Sequence, residues 1–284
     1  MGHLNRMRVD AIDYKKIIAR PDLLAQIVSV DACSEKCFQE MDQLVRSDQG
    51  SVSFVLRMAN SAMYNRGKPI KTIPHAISLL GIDIIRSLAI LSVSRAIFIK
   101  SGNALFQRHV WQHSLLTALA CQQICFETGE SKLAEEAFVA GLLHDIGKVL
   151  LNYNCPEDYP VILGYVLEHS CSCAEAEQRF LDINHNDVGR RAVVEWKLPS
   201  YFVDYVGIDL EVFHSCYAGN KILFSLAIAN SLIKNAGFGA HMPTLLERKR
   251  KLMHLGASEK LCKLLLEDAF LQKLQQSDIY LHSL

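Results

Sequence analysis

The residues with the strongest claim to chemistry lie in one run, Gly141-Leu142-Leu143-His144-Asp145-Ile146-Gly147-Lys148. An adjacent imidazole and carboxylate offer two kinds of donor that together suit a divalent transition metal. Neighbouring side chains on a helix diverge by about 100°, so both reach one ion only at a helix edge, with other helices completing the shell. A bare His-Asp pair is common by chance; the glycine and apolar flanks are what single this one out. Upstream, His113 in His109-Val110-Trp111-Gln112-His113-Ser114 sits beside a helical face carrying Leu116, Ala120 and Ile124, a position compatible with a ligand. Downstream, His185 in Asp182-Ile183-Asn184-His185-Asn186-Asp187-Val188-Gly189 opens a further helix, where it can either cap or coordinate.

The elements that must position these side chains read as helices. Apolar residues recur at three- and four-residue intervals almost throughout, and no sustained period-2 alternation is bounded by N-G or D-G turns. Ser34 is placed to cap a helix with Cys37, Met41, Leu44 and Val45 on one face, and Asp48 the next, with Val52, Val55, Leu56, Ala59 and Met63 inward. Thr72 before Pro74 marks a helix start, Gly81 a stop, and Ile82 or Asp83 the opening of a long Ile/Leu/Ala-rich helix. Turn formers at Ser101-Gly102-Asn103 divide two helical halves. Beyond them helices are expected over about 105–125, 133–151, 159–169 and 174–181, with three or four more to the C-terminus.

Composition excludes several function classes. With 284 residues, half of them hydrophobic and 21% charged, the chain is neither disordered nor fibrous. A formal net charge of zero gives no global attraction to nucleic acid or an anionic membrane. The apolar stretches are broken well short of the roughly 20 residues of a membrane span, and Met1 to Tyr14 lacks the apolar core of a secretory signal. Nine cysteines with no C-x-x-C pair point to reduced thiols in a cytoplasm rather than a disulfide framework. Neither phosphate-cradling glycine motif occurs. Thr72 to Leu91 has a helix-turn-helix outline, yet its second helix offers only Asp83 and Arg86 as charged side chains, too few to read bases and phosphates. The charge run Glu247-Arg248-Lys249-Arg250-Lys251 reads as a solvated helix face.

Several separate motifs, taken together, resemble the HDOD group of bacterial signalling proteins. In the first half they are Leu44 through Ser47-Asp48 to Arg57-Met58-Ala59-Asn60-Ser61-Ala62-Met63-Tyr64, then Ile73-Pro74-His75-Ala76-Ile77-Ser78-Leu79-Leu80-Gly81. In the second half they are Trp111-Gln112-His113-Ser114, the G-L-L-H-D-I-G-K segment, His185-Asn186-Asp187-Val188-Gly189 and Trp196-Lys197-Leu198-Pro199. The resemblance covers roughly residues 15 to 235. It implies an all-α fold: a multi-helical HD-like bundle over 104–235, an additional N-terminal helical subdomain over 15–100, and a helical extension over 236–284 packed on the domain.

The resemblance also implies a ligand set. In catalytic HD relatives a His, a His-Asp pair, later histidines and a closing Asp bind metal and activate water against a phosphoester. By position those roles fall to His113, His144, Asp145 and His185, with Lys148 matching a substrate-associated lysine. Where relatives often show a His-His pair, this chain has Asp209-Leu210, with His214 out of register, and at the closing Asp it has Asn230. An amide keeps an oxygen donor but removes a full negative charge, and a hydrolytic site needs a bound water of lowered pKa, which such a shell holds poorly. The expectation is a non-catalytic regulatory module acting through signalling proteins or a nucleotide ligand. It requires no cofactor, with a divalent ion such as Fe or Mn retained at most at a vestigial site, and it contacts neither nucleic acid nor membrane directly. The alternative is a metal-dependent phosphohydrolase acting on a nucleotide or cyclic dinucleotide. Asn60, Ser61, Leu80 and Gly81 belong to the half that catalytic HD proteins lack and are candidates for interaction; for Asn60 a backbone bond at a helix end is the competing role.

Overall fold

A computed structural model describes residues 7–16, 20–65, 67–99, 103–208, 210, 217, 219–239 and 244–284. Among them there is no strand. The N-terminal half holds α1 (Pro21–Val28), α2 (Cys37–Arg46), α3 (Gln49–Ala59), α4 (Ile73–Leu80) and α5 (Ile82–Ile99). The second half opens with α6 (Ala104–Phe106), a π-helical stretch Gln107–Gln112 and α7 (His113–Glu127). It continues through α8 (Ala134–Leu143), α9 (Ile146–Asn154), α10 (Tyr159–His169), α11 (Cys173–Leu181), α12 (His185–Glu195), α13 (Phe202–Val206) and α14 (Lys221–Ile233). The C-terminal extension is α15 (Leu245–His254), α16 (Glu259–Leu265), α17 (Asp268–Gln275) and α18 (Asp278–Ser283).

Local chemistry sets many of these boundaries. The Asp48 carboxylate accepts from Ser51 N at the start of α3, and the Thr72 hydroxyl accepts from His75 N at the start of α4. Gly81, at φ 85°, makes the sharp turn from α4 into α5. Ser34 does not cap α2: its hydroxyl accepts from Lys36 N in a preceding turn, and α2 starts at Cys37. Of the Ser101-Gly102-Asn103 boundary only Asn103 is described, and it caps α6 by accepting from Phe106 N. Beyond α11 the described residues carry seven α-helices where three or four are expected, in part because Gly256, Ser258 and Ser277 interrupt the extension with a left-handed turn and two fresh caps.

Buried residues from Ile12 to Tyr280 form one contiguous cluster, so a single core runs through both halves and the extension. Helix α5 packs on α1 and α3 and also on α8, so it joins the two halves. Its residues Ile85, Leu88, Ala89, Ile90 and Leu91 are buried, which removes this helix from any role in reading a DNA groove. Among the described residues no helix is long and apolar enough to cross a membrane. Ser283 O accepts from Trp111 Nε1 at 3.2 Å and from Arg95 Nε at 3.0 Å, fastening the extension to the seam between the halves.

Candidate metal centre

Instead of one helix over 133–151, the chain breaks at the His-Asp pair: α8 ends at Leu143, α9 begins at Ile146, and Asp145 has φ −98° and ψ 16°. The break removes the angular problem of adjacent ligands. Freed from one helical screw, both side chains turn to the same side, with His144 Nε2 3.3 Å from Asp145 Oδ2. The flanking glycines explain why the chain bends here. A Cβ at Gly141 would lie 2.6 Å from the Ala118 Cα, so its absence lets α8 close on α7. A Cβ at Gly147 would lie 1.9 Å from the His185 carbonyl oxygen, so its absence lets α9 close on α12. The two glycines let the helices that carry His113 and His185 close on the segment that holds the pair.

His113, the first residue of α7, is fully buried. Its Nε2 stands 3.3 Å from His144 Nε2, 3.6 Å from Asp145 Oδ2 and 3.1 Å from Asn230 Oδ1 on α14. His113, His144 and Asp145 each offer one donor within 4.8 Å of the others, and these three could hold a metal ion. His144 Nδ1 donates to Gly141 O at 2.8 Å, which turns Nε2 toward the cradle. His113 lacks such support: its Nδ1 is buried with no hydrogen-bonding partner among the described residues. Burial pushes the His113 ring well below its ordinary pKa, so it is neutral and donates Nε2–H to the Asn230 amide oxygen. Coordination through Nε2 would move that proton to an Nδ1 with nothing to accept it.

Lys148, one turn into α9, places Nζ 2.7 Å from Asp145 Oδ2, and both groups are buried. Burial alone would raise the Asp145 carboxyl; the charges of His144 and Lys148 outweigh it and hold the group well below the usual carboxylate range. Burial opposes charge on Lys148 as well, and the Asp145 carboxylate reverses it, raising the ammonium above its ordinary pKa. The pair is therefore ionised, an internal cation resting on the carboxylate of the cradle.

His185 is the first residue of α12, where Asn184 rather than His185 is the cap. Its Nε2 lies 3.8 Å from Asp145 Oδ1, and its Nδ1 and backbone N both donate to Glu177 Oε2, at 2.6 and 2.7 Å. Tyr159 OH donates to the other Glu177 oxygen at 2.6 Å, with burial pushing that phenol well above its ordinary pKa. Sequence reasoning missed Glu177 and Tyr159. The available signal was a glutamate on the stripe of α11 that also carries Ala176 and Leu181, both buried. The cleft in front of the cradle is lined by Cys173, His185, Asn186, Leu210 and Lys234 among others, and encloses about 20 Å³. That is room for about one water-sized group. Asp209 and His214 lie outside the described residues.

The N-terminal candidates have structural partners. Asn60 Nδ2 donates to Leu56 O and Ile70 O at 2.8 and 2.7 Å, while its Oδ1 accepts from Ile70 N at 2.8 Å. One amide thus clasps both backbone groups of Ile70 and closes the loop after α3. Ser61 Oγ has no partner among the described residues, and half-buried Leu80 packs on the core.

A family model for the HDOD domain matches residues 17–209. The chain belongs to the HDOD domain family. Its fold resembles that of an HDOD domain protein of unknown function from Geobacter sulfurreducens, with a TM-score of 0.72 at 24% identity over 90% of this chain and 91% of that one. A candidate signal transduction protein from Marinobacter aquaeolei gives a TM-score of 0.70 at 16% identity, covering 100% of this chain and 62% of that one. A candidate phosphohydrolase from Shewanella amazonensis gives 0.61 at 21% identity, covering 95% and 96%. At these identities the likeness is one of fold. Among curated proteins, an uncharacterized protein from Treponema pallidum is 21% identical over 191 residues, 67% of this chain, which spans only 37% of that relative's length.

Proposed function

We propose that this HDOD chain is a non-catalytic signal-transduction module that works by binding partner proteins or a ligand, with its HD cradle kept as a polar keystone instead of a hydrolytic centre. The observation that carries this reading is how the cradle satisfies itself. Asn230 stands where the resemblance calls for a carboxylate and accepts the His113 proton at 3.1 Å. The Lys148 ammonium neutralises Asp145 at 2.7 Å. Every strong charge therefore has a protein partner, which is what a buried polar network needs in order to be stable. Among the described residues the cleft beside His185 and Asn186 encloses only about 20 Å³, against the roughly 300–1,000 Å³ of small-molecule sites. Contacts with partners fall to the N-terminal helical half, where Leu79 stands 53% exposed next to the Leu80-Gly81 turn. The cysteines described are all free thiols, in keeping with action in a reducing cytoplasm.

The second reading, a metal-dependent phosphohydrolase, is favoured by the His113, His144 and Asp145 donors within 4.8 Å of one another. The two separate in one experiment. Protein loaded with manganese or iron(II) is assayed against cyclic dinucleotides and nucleotide phosphoesters, and metal is quantified in the protein as isolated. The regulatory module shows substoichiometric metal and no turnover. Turnover abolished by both His144→Ala and Asp145→Ala overturns it.

A further inference from the structure

A second concavity lies outside the cradle, between the C-terminal extension and the far ends of α7 and α14. It encloses about 590 Å³ against about 20 Å³ for the cleft, within the roughly 300–1,000 Å³ of small-molecule sites. Its walls carry cations, acids and one aromatic ring. Lys221 and Phe224 come from the first turn of α14; Lys260 and Lys263 come from α16. Lys260 and Lys263 make no ion pair among the described residues, and Lys221 reaches only Glu130, at 3.9 Å. The acids are Glu127, whose Oε1 accepts from Gln123 Nε2 at 2.8 Å, and Glu267. Gly256, at φ +99°, lies against the Phe224 ring: a Cβ there would stand 3.5 Å from Cε2, and any longer side chain would cover the ring.

We infer that this groove binds a small phosphorylated ligand carrying a planar ring, of the mononucleotide class, and that it, not the HD cleft, is where the regulatory module reads its ligand. The inference rests on the non-catalytic reading above. Three ammonium groups from two helices suit one group with several anionic oxygens, where a single carboxylate would leave two of them unused. Carboxylates on the wall of a phosphate site accept sugar hydroxyls, as in dinucleotide folds. The uncovered Phe224 ring offers a stacking face for a base. The groove also has a physical link to the cradle. Helix α7 carries Glu127 at one end and His113 at the other, and α14 carries Lys221 and Phe224 two turns before Asn230.

The test is calorimetric titration of the full chain with adenosine and guanosine 5′-monophosphate, ribose 5-phosphate and inorganic phosphate. One site per chain is expected for at least one nucleotide, at least tenfold tighter than ribose 5-phosphate. Lys260→Glu with Lys263→Glu, both at exposed positions, weakens nucleotide and sugar phosphate at least tenfold. Phe224→Leu keeps an apolar side chain in place and removes the preference for nucleotide over ribose 5-phosphate. Asn186→Ala, at the mouth of the HD cleft, changes neither. No binding at millimolar nucleotide overturns the inference, as does wild-type binding in the lysine and Phe224 variants, or loss of binding in Asn186→Ala alone. An acidic peptide that binds through the same lysines while nucleotides do not overturns it equally. Each of these failures leaves the regulatory reading standing, since that reading falls only to metal-dependent turnover.

Discussion

Replacing Asn230 by Asp restores the carboxylate that the cradle lacks while changing one terminal group. The Asn230 oxygen is 3.1 Å from His113 Nε2, so the new charge stands beside the donors His113, His144 and Asp145. At about 4 Å and an effective dielectric of about 20, one unit of charge acting on another is worth roughly 4 kcal/mol. Desolvating a buried carboxylate takes back about half of that or more. The remainder, roughly 1–2 kcal/mol, corresponds to about 5- to 30-fold tighter binding of a divalent cation. The assay is calorimetric titration of manganese into chelator-stripped wild-type and Asn230→Asp protein, with far-ultraviolet circular dichroism to show that both stay folded. Asn230→Ala serves as the control for loss of the oxygen donor and binds no better than wild type. Equal affinity of wild type and a folded Asn230→Asp would refute the reasoning, since the missing charge would then not be what limits the site.

Four further outcomes follow from the geometry. Lys148→Met leaves the buried Asp145 carboxylate without its cation and costs about 3–5 kcal/mol in urea unfolding; a loss below about 1 kcal/mol would mean that the Lys148 contact is not what sustains the buried carboxylate. Gly147→Ala forces a methyl to within 1.9 Å of the His185 carbonyl, and separating α9 from α12 costs about 1–3 kcal/mol or more; wild-type stability would show that the close approach is not required. Asn60→Ala breaks the clasp on Ile70 and lowers stability by about 2 kcal/mol, read by thermal denaturation, with intact stability counting against a structural role. Burial raises the Glu135 carboxyl above its ordinary pKa of 4.5, although Gln122 Nε2 donates to it at 2.8 Å. A raised folded pKa gives stability that is present at acid pH and lost as the group ionises. The melting temperature of Glu135→Gln, measured against wild type, therefore climbs as pH rises from about 4 to 7, and a pH-independent difference would sink this account.

What the residues foretold and what they concealed divide along a physical line. Caps act over three or four residues, so Asp48 and Thr72 are readable without knowing the fold, and their bonds to Ser51 N and His75 N are local. The break at His144-Asp145 is different. Apolar residues run through Leu133 to Leu151 at helical spacing with no proline, and local propensity favours one unbroken helix. Two glycines six residues apart each demand backbone contact, Gly141 with Ala118 on α7 and Gly147 with His185 on α12. A straight helix turns about 600° over six residues and presents those positions to quite different directions, so satisfying both neighbours bends the chain where the ligands lie. Glu177 stayed hidden for the same reason: its partners are Tyr159 and His185, on the helices before and after its own. The motif thus announces a site, but its shape is set by neighbours remote in sequence. Asn230, 117 residues from His113, is the case with most consequence. By type it reads as a lost ligand; by position it is the acceptor that lets a neutral, fully buried histidine keep its proton.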